Sequence, residues 1–159
     1  IPCVDHASLK NDTDKERFVK NLLLPAREAK KLGVRLALET DLAPKSFKEL
    51  LDALDFCSVT ANYDTGNSAS LGYDPEEEFT TYGNRVSDIH IKDRVLGGGS
   101  VPLGQGNVDF KKIVGLIIDS GFNGPLILQA YRDDEGKAIF GEQFDWFKNI
   151  SGLQSISPT

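Results

Sequence analysis

Methionine is missing altogether from the 159 residues, and histidine, cysteine and tryptophan are scarce, at two, two and one. Each scarcity excludes something. Cys3 and Cys57 lie too far apart for the close pairs of a zinc or redox motif, so two buried free thiols in a reducing compartment are expected. No apolar run approaches the roughly 20 residues that span a bilayer. The first residues carry no leader pattern, and a cytoplasmic location is expected. Basic residues number 18 against 24 acidic ones, a net charge of −6. That balance speaks against a general nucleic-acid or membrane-surface binder. With Ile1 first and no methionine, the expectation is a piece of a longer polypeptide.

What is present is a repeated pattern. Strands are expected over Ile1–Asp5, Val34–Glu39, Ser58–Asp64, Val86–Asp93 and Pro125–Gln129, from short alternating or continuous apolar runs. Helices are expected between them. The first runs from Asp14 to Leu32 behind the capping residues Asn11, Asp12 and Thr13, with a kink or break at Pro25. The next is capped by Ser46 and covers Phe47–Leu54. Asp74 and Pro75 open another, closed by Gly83. Val108 or Asp109 opens the fourth, with Ile113, Val114, Ile117 and Ile118 as its core face. Phe140, Phe144 and Phe147 mark a core stripe on a last helix over Ala138–Ile150.

Strands alternating with helices imply a parallel sheet with right-handed crossovers. No G-x-G-x-x-G follows the first strand, so a dinucleotide fold loses its main support. A whole (β/α)8 barrel takes about 250 residues. The expected fold class is therefore α/β: the C-terminal part, about five βα units, of a (β/α)8 TIM barrel over residues 1–150, with a polar tail over 151–159. Such a part has bare strand edges, so a homo-oligomer or a missing N-terminal half is expected.

In either kind of parallel sheet, ligands bind at the carboxyl ends of the strands. Those ends carry Glu39, Asp64, His90 and Gln129. Two carboxylates, an imidazole and an amide suit one divalent cation of the Mn, Zn, Co or Mg type. Taken singly, each residue has a plainer use: a strand-end carboxylate also caps a helix or pairs with arginine. Around this set, Asn67 is a substrate contact or a turn residue, and Lys92 with Asp93 reads as a strand-end ion pair on the surface. Arg94 with Gly98 and Gly99 in the Gly97–Ser100 loop is a phosphate nest or a flexible lid. His6 lies just past the first strand, within reach of a substrate.

The segments GVRLALET, YDTGN, IHIKDR and VPLGQGNVDF resemble the sugar phosphate isomerase/epimerase family of xylose isomerase-like barrels. This group includes ketose and ketose-phosphate 3-epimerases, with inosose dehydratase and metal-dependent apurinic endonucleases as more distant relatives. The resemblance implies one divalent metal held by Glu, Asp, His and Glu at the ends of the last four strands. Glu39, Asp64 and His90 match the first three, and Gln129 departs from the fourth. It implies two glutamates that exchange protons beside a ketone, of which only Glu39 is present. Lys92 and Asp93 would line the mouth and order its loops. The implied activity is isomerisation or epimerisation of a sugar or sugar phosphate through an enediolate. A hydro-lyase on an inositol-like ketone, or a sugar-binding barrel without turnover, are the other readings. An endonuclease would want more histidines than two and a more basic face.

Overall fold

The computed structural model describes residues 1–55, 57–129, 131 and 136–152. In chain order the elements are β1 (Pro2–Cys3), α1 (Asp12–Lys31), β2 (Leu36–Thr40), α2 (Pro44–Asp52), β3 (Val59–Asp64), α3 (Thr65–Leu71) and α4 (Pro75–Tyr82). They continue with β4 (Val86–Ile91), β5 (Asp93–Arg94), β6 (Ser100–Val101), α5 (Phe110–Asp119), β7 (Leu126–Leu128) and α6 (Lys137–Ser151). Five strands form one parallel sheet in the order β1-β2-β3-β4-β7. The order never reverses, as it would at the switch point of a doubly wound sheet. The sheet is part of a barrel wall.

Alternation along the strands assigns the two faces. Leu38, Val59, Ala61, Tyr63, Ile89 and Ile91 join the helix residues Leu22, Ala26, Phe47, Leu50, Leu51, Ile113, Ile117 and Phe147 in one core. The intervening residues Glu39, Asn62, Asp64, Asp88 and His90 occupy the other face. The register puts Asp64 beside His90 in adjacent strands.

Several local expectations change. Pro25 lies inside one continuous helix, because a long helix can forgo a single backbone bond. Asn11 is its N-cap, accepting from the Asp14 N–H. Pro44, not Phe47, starts α2. Ser46 therefore caps nothing, and its hydroxyl accepts from Lys15 Nζ at 3.0 Å. Ile118, expected in the core, is 62% exposed. Phe140 and Phe144 also stand outside, stacked on each other, while Phe147, Trp146 and Gln143 take the inner face of α6. Ser151 belongs to that helix rather than to a tail, and residues 153–159 lie outside the described ones. Cys3 and Cys57 are both buried and free.

Beyond β4 the chain does not run on as one strand. It turns at Lys92 into the antiparallel hairpin β5–β6, with Gly97 at φ +64° at its tip. Asp93 anchors the loop between β6 and α5. It is 1% exposed, and its carboxylate accepts from the N–H groups of Gly104, Gly106 and Val108. A Cβ at Gly106 would strike that carboxylate, which explains the glycine.

A second buried carboxylate sits under the sheet end. Glu78 is 3% exposed and accepts hydroxyl bonds from Tyr63, Ser68 and Tyr82. Burial raises its pKa, against the three hydroxyls that favour the charge. A raised folded-state pKa adds stability that is present below the ordinary glutamate value, about 4.3, and lost as pH rises through the raised value. The Glu78→Gln variant lacks this dependence. Urea midpoints measured from pH 4 to 8 should show wild type losing ground against Glu78→Gln as pH rises. A constant gap would contradict the assignment.

Candidate metal centre

The site grows out of three adjacent strand ends. Glu39 is the penultimate residue of β2, Asp64 closes β3, and His90 is the penultimate residue of β4. Donor atoms of all three lie within 4.8 Å of one another. His90 Nδ1 is 3.7 Å from both Glu39 Oε2 and Asp64 Oδ2. Lys92 Nζ is 3.7 Å from the same Asp64 oxygen.

Asp64 divides its two oxygens. Oδ1 accepts the Asn67 N–H at 2.8 Å and so caps α3, a short helix that the sequence pattern did not suggest. Oδ2 is buried and has no hydrogen-bond partner. A buried carboxylate oxygen with no hydrogen bond is costly unless a cation takes it, and Lys92 and His90 approach this one only to 3.7 Å. This orphan, the neighbouring carboxylate and the imidazole together fit a divalent metal ion.

The charges respond accordingly. Glu39 has a raised pKa, first through burial and then through the Asp64 charge, with His90 and Lys92 opposing. His90 is also raised, chiefly by Asp64, with burial opposing and Glu39 adding to the rise. A cation bound beside Glu39 would relieve both causes of its rise, burial of the charge and the nearness of Asp64.

The remaining expected residues divide into three groups. Asn67 and Arg94 join the centre: Arg94 Nη1 donates to Asn67 Oδ1 at 2.8 Å, and Asn67 Nδ2 donates to Glu39 Oε1 at 2.6 Å. Gln129 comes just after β7, and its N–H donates to the Ile91 carbonyl at 2.9 Å, one strand over from His90. Asp93, Gly98, Gly99 and His6 stand apart. Asp93 is spent on its loop. The Gly97 and Gly98 N–H groups bond to the Ser70 and Val95 carbonyls, so they do not form an anion nest. Gly98 instead offers its carbonyl to Arg94, and the Gly99 carbonyl accepts from Val95. His6 lies exposed in the turn Asp5–Ala7.

Sequence reading missed Asn62. Its Nδ2 lies 3.0 Å from His90 Nε2, and its Oδ1 is buried without a partner. The signal that could have found it was period-two alternation, which puts Asn62 on the same face as Asp64.

Replacing Asp64 with Asn keeps an N-cap and removes one of the repelling charges. Wild type at 100 times the Kd should gain about 2.7 kcal/mol from Mn2+ or Zn2+, and the variant should gain almost none. Thermal melts with and without metal, after chelation, read the gain and its loss.

Comparison with known proteins shows the family and the fold. An inosose dehydratase of Geobacillus kaustophilus (strain HTA426) is 27% identical over 77% of this chain and 47% of its own length. The L-ribulose-5-phosphate 3-epimerase UlaE of Escherichia coli (strain ATCC 8739) is 25% identical over 87% and 51%. The chain spans about half the length of the curated relatives it matches. The crystal structure of an IOLI protein with a binding zinc atom superposes with a TM-score of 0.74 at 19% identity, covering 89% of this chain and 58% of that one. No helix among the described residues is long and apolar enough to cross a membrane. Residues 3–150 match the family described as Xylose isomerase-like TIM barrel, and the chain belongs to that family.

Proposed function

We propose that this chain carries the metal-binding half of an enzyme that moves a proton beside the carbonyl of a sugar-like ketone. One observation supports it most. Glu39 keeps one oxygen on Asn67 and turns the other toward His90. The carboxylate is thereby fixed next to the orphaned Asp64 oxygen, where a substrate carbonyl would meet a cation.

Glu39, Asp64 and His90 would hold the metal, with Gln129 as a neutral fourth donor. A divalent cation, when bound, polarises the substrate carbonyl and stabilises enediolate charge. Glu39 takes the proton from the carbon next to that carbonyl. Gln129 has no proton to exchange, so the second glutamate of a two-base isomerase is missing at this position. Lys92, 3.7 Å from Asp64, would donate to a substrate hydroxyl. The ligand is a small sugar or sugar phosphate. Zinc is a reasonable occupant, since the similar IOLI structure contains it.

The first reading is a ketose or ketose-phosphate isomerase or epimerase, in line with the epimerase relative. Gln129 gives the hydro-lyase reading specific support. Elimination of a β-hydroxyl from an inositol-like ketone needs one base to start it, and inosose dehydratases are among the relatives. In the family, a barrel needs more βα units than this chain supplies, either from the same polypeptide or from a second copy.

Isotope exchange tests the common step. Incubated with Mn2+ in D2O, the protein should place deuterium beside the carbonyl of at least one member of a panel of ketoses, ketose phosphates and inososes. Glu39→Gln should lower that rate by a factor of about 100 or more. Deuterated ketone marks isomerase chemistry, and loss of water marks the hydro-lyase. No deuterium from any substrate would overturn the proposal. Exchange seen only in Gln129→Glu would make the wild type a sugar-binding barrel without turnover.

A further inference from the structure

Glu39 is not oriented by its own strand alone. Its Oε1 accepts from Asn67 Nδ2 at 2.6 Å, and Asn67 Oδ1 accepts from Arg94 Nη1 at 2.8 Å. Arg94 then reaches the hairpin tip, with Nε and Nη2 donating to the Gly98 carbonyl at 3.0 and 2.8 Å. The hairpin is itself tied back to α3, since the Gly97 N–H donates to the Ser70 carbonyl at 2.8 Å and Ser70 Oγ donates to the Asn67 carbonyl at 3.0 Å.

The chemistry of the chain gives it a direction. A guanidinium has five donors and no acceptor. Facing Arg94, the Asn67 amide must present its oxygen. Its NH2 must then face the other way, onto Glu39. An amide free of Arg94 could turn over and set its oxygen against the Glu39 carboxylate, which would repel it. Arg94 thus dictates which end of Asn67 meets Glu39, and Asn67 fixes which Glu39 oxygen remains for His90 and the cation.

We propose that Arg94 and Asn67 are positioning residues that set the Glu39 carboxylate for metal binding and link it to the Gly97–Gly99 hairpin. This rests on the reading of Glu39 as a metal ligand. It gives Arg94 a role other than phosphate capture and Asn67 a role other than direct substrate contact.

Mn2+ affinity, followed by electron paramagnetic resonance titration, tests the link apart from turnover. Arg94→Met and Asn67→Ala should each weaken Mn2+ binding about 10- to 100-fold, the usual loss when a group supporting a ligand is removed. The double variant should be no weaker than the worse single one, because both changes break the same chain. Arg94→Lys can still donate to Asn67 Oδ1 and should stay within about threefold of wild type. General loosening of the fold would not spare the lysine variant. If Arg94→Met fails to fold, Asn67→Ala with Arg94 intact still breaks the link and must show the loss. Affinities within threefold of wild type in the single variants, or losses that multiply in the double, would overturn the inference. The D2O exchange experiment decides the reaction separately. A wild type that binds Mn2+ without exchange would remove the isomerase reading and leave the positioning chain to the titration.

Discussion

Two carboxylates, Glu39 and Asp64, are forced together at neighbouring strand ends, each 3.7 Å from His90 Nδ1. Like charges at this spacing repel, and one oxygen of Asp64 is buried without a hydrogen-bond partner, with His90 and Lys92 no nearer than 3.7 Å. A protein tolerates such an arrangement only when its surroundings over-determine it. Here they do. The parallel register of β3 and β4 fixes Asp64 beside His90. The cap on α3 fixes one Asp64 oxygen, and Asn67 fixes one Glu39 oxygen. What remains free is one oxygen from each carboxylate, turned toward the imidazole.

The elements around the centre serve that constraint. Thr65 locks the ends of β3 and β4 together, its hydroxyl donating to the Lys92 carbonyl at 2.6 Å and accepting from the Lys92 N–H at 3.0 Å. Asp93 gathers three N–H groups of the loop that leads to α5. Glu78, with its three hydroxyl donors, ties α4 to β3 and α3 on the far side of the sheet. The site is therefore held from two sides, by hydrogen-bonded polar groups above and by the core below.

Membership in a family of xylose isomerase-like barrels limits the chemistry without choosing within it. Proton removal beside a ketone is shared by epimerisation and by loss of water. In the proposed reading, Gln129 stands where a two-glutamate site would have its second base. Under the proposed function the difference would be one of proton capacity: an amide oxygen can face a cation or a hydroxyl, but it cannot carry a proton back.

Much of this was legible in the residues themselves. Short apolar runs alternating with amphipathic stretches give the parallel sheet, because a strand buried on its helix face must show that pattern. Each strand's last polar residue gives a candidate ligand, since parallel sheets open at that end. The sequence could not show that Asp64 both caps a helix and faces the candidate metal site, because the two roles use different oxygens of one side chain. It could not tell the inner stripe of α6 from the outer one, because Phe140, Phe144 and Phe147 look alike until the helix is seated. Nor could it assign Arg94 and Gly98. Their meeting with Asn67 and Glu39 spans separate elements, and whether a glycine loop offers its N–H groups or its carbonyl depends on how the backbone turns. The sequence alone determined which chemistry could gather at the strand ends; the tertiary structure decided which atoms face it, because hydrogen-bond direction is settled only between groups brought together by the fold.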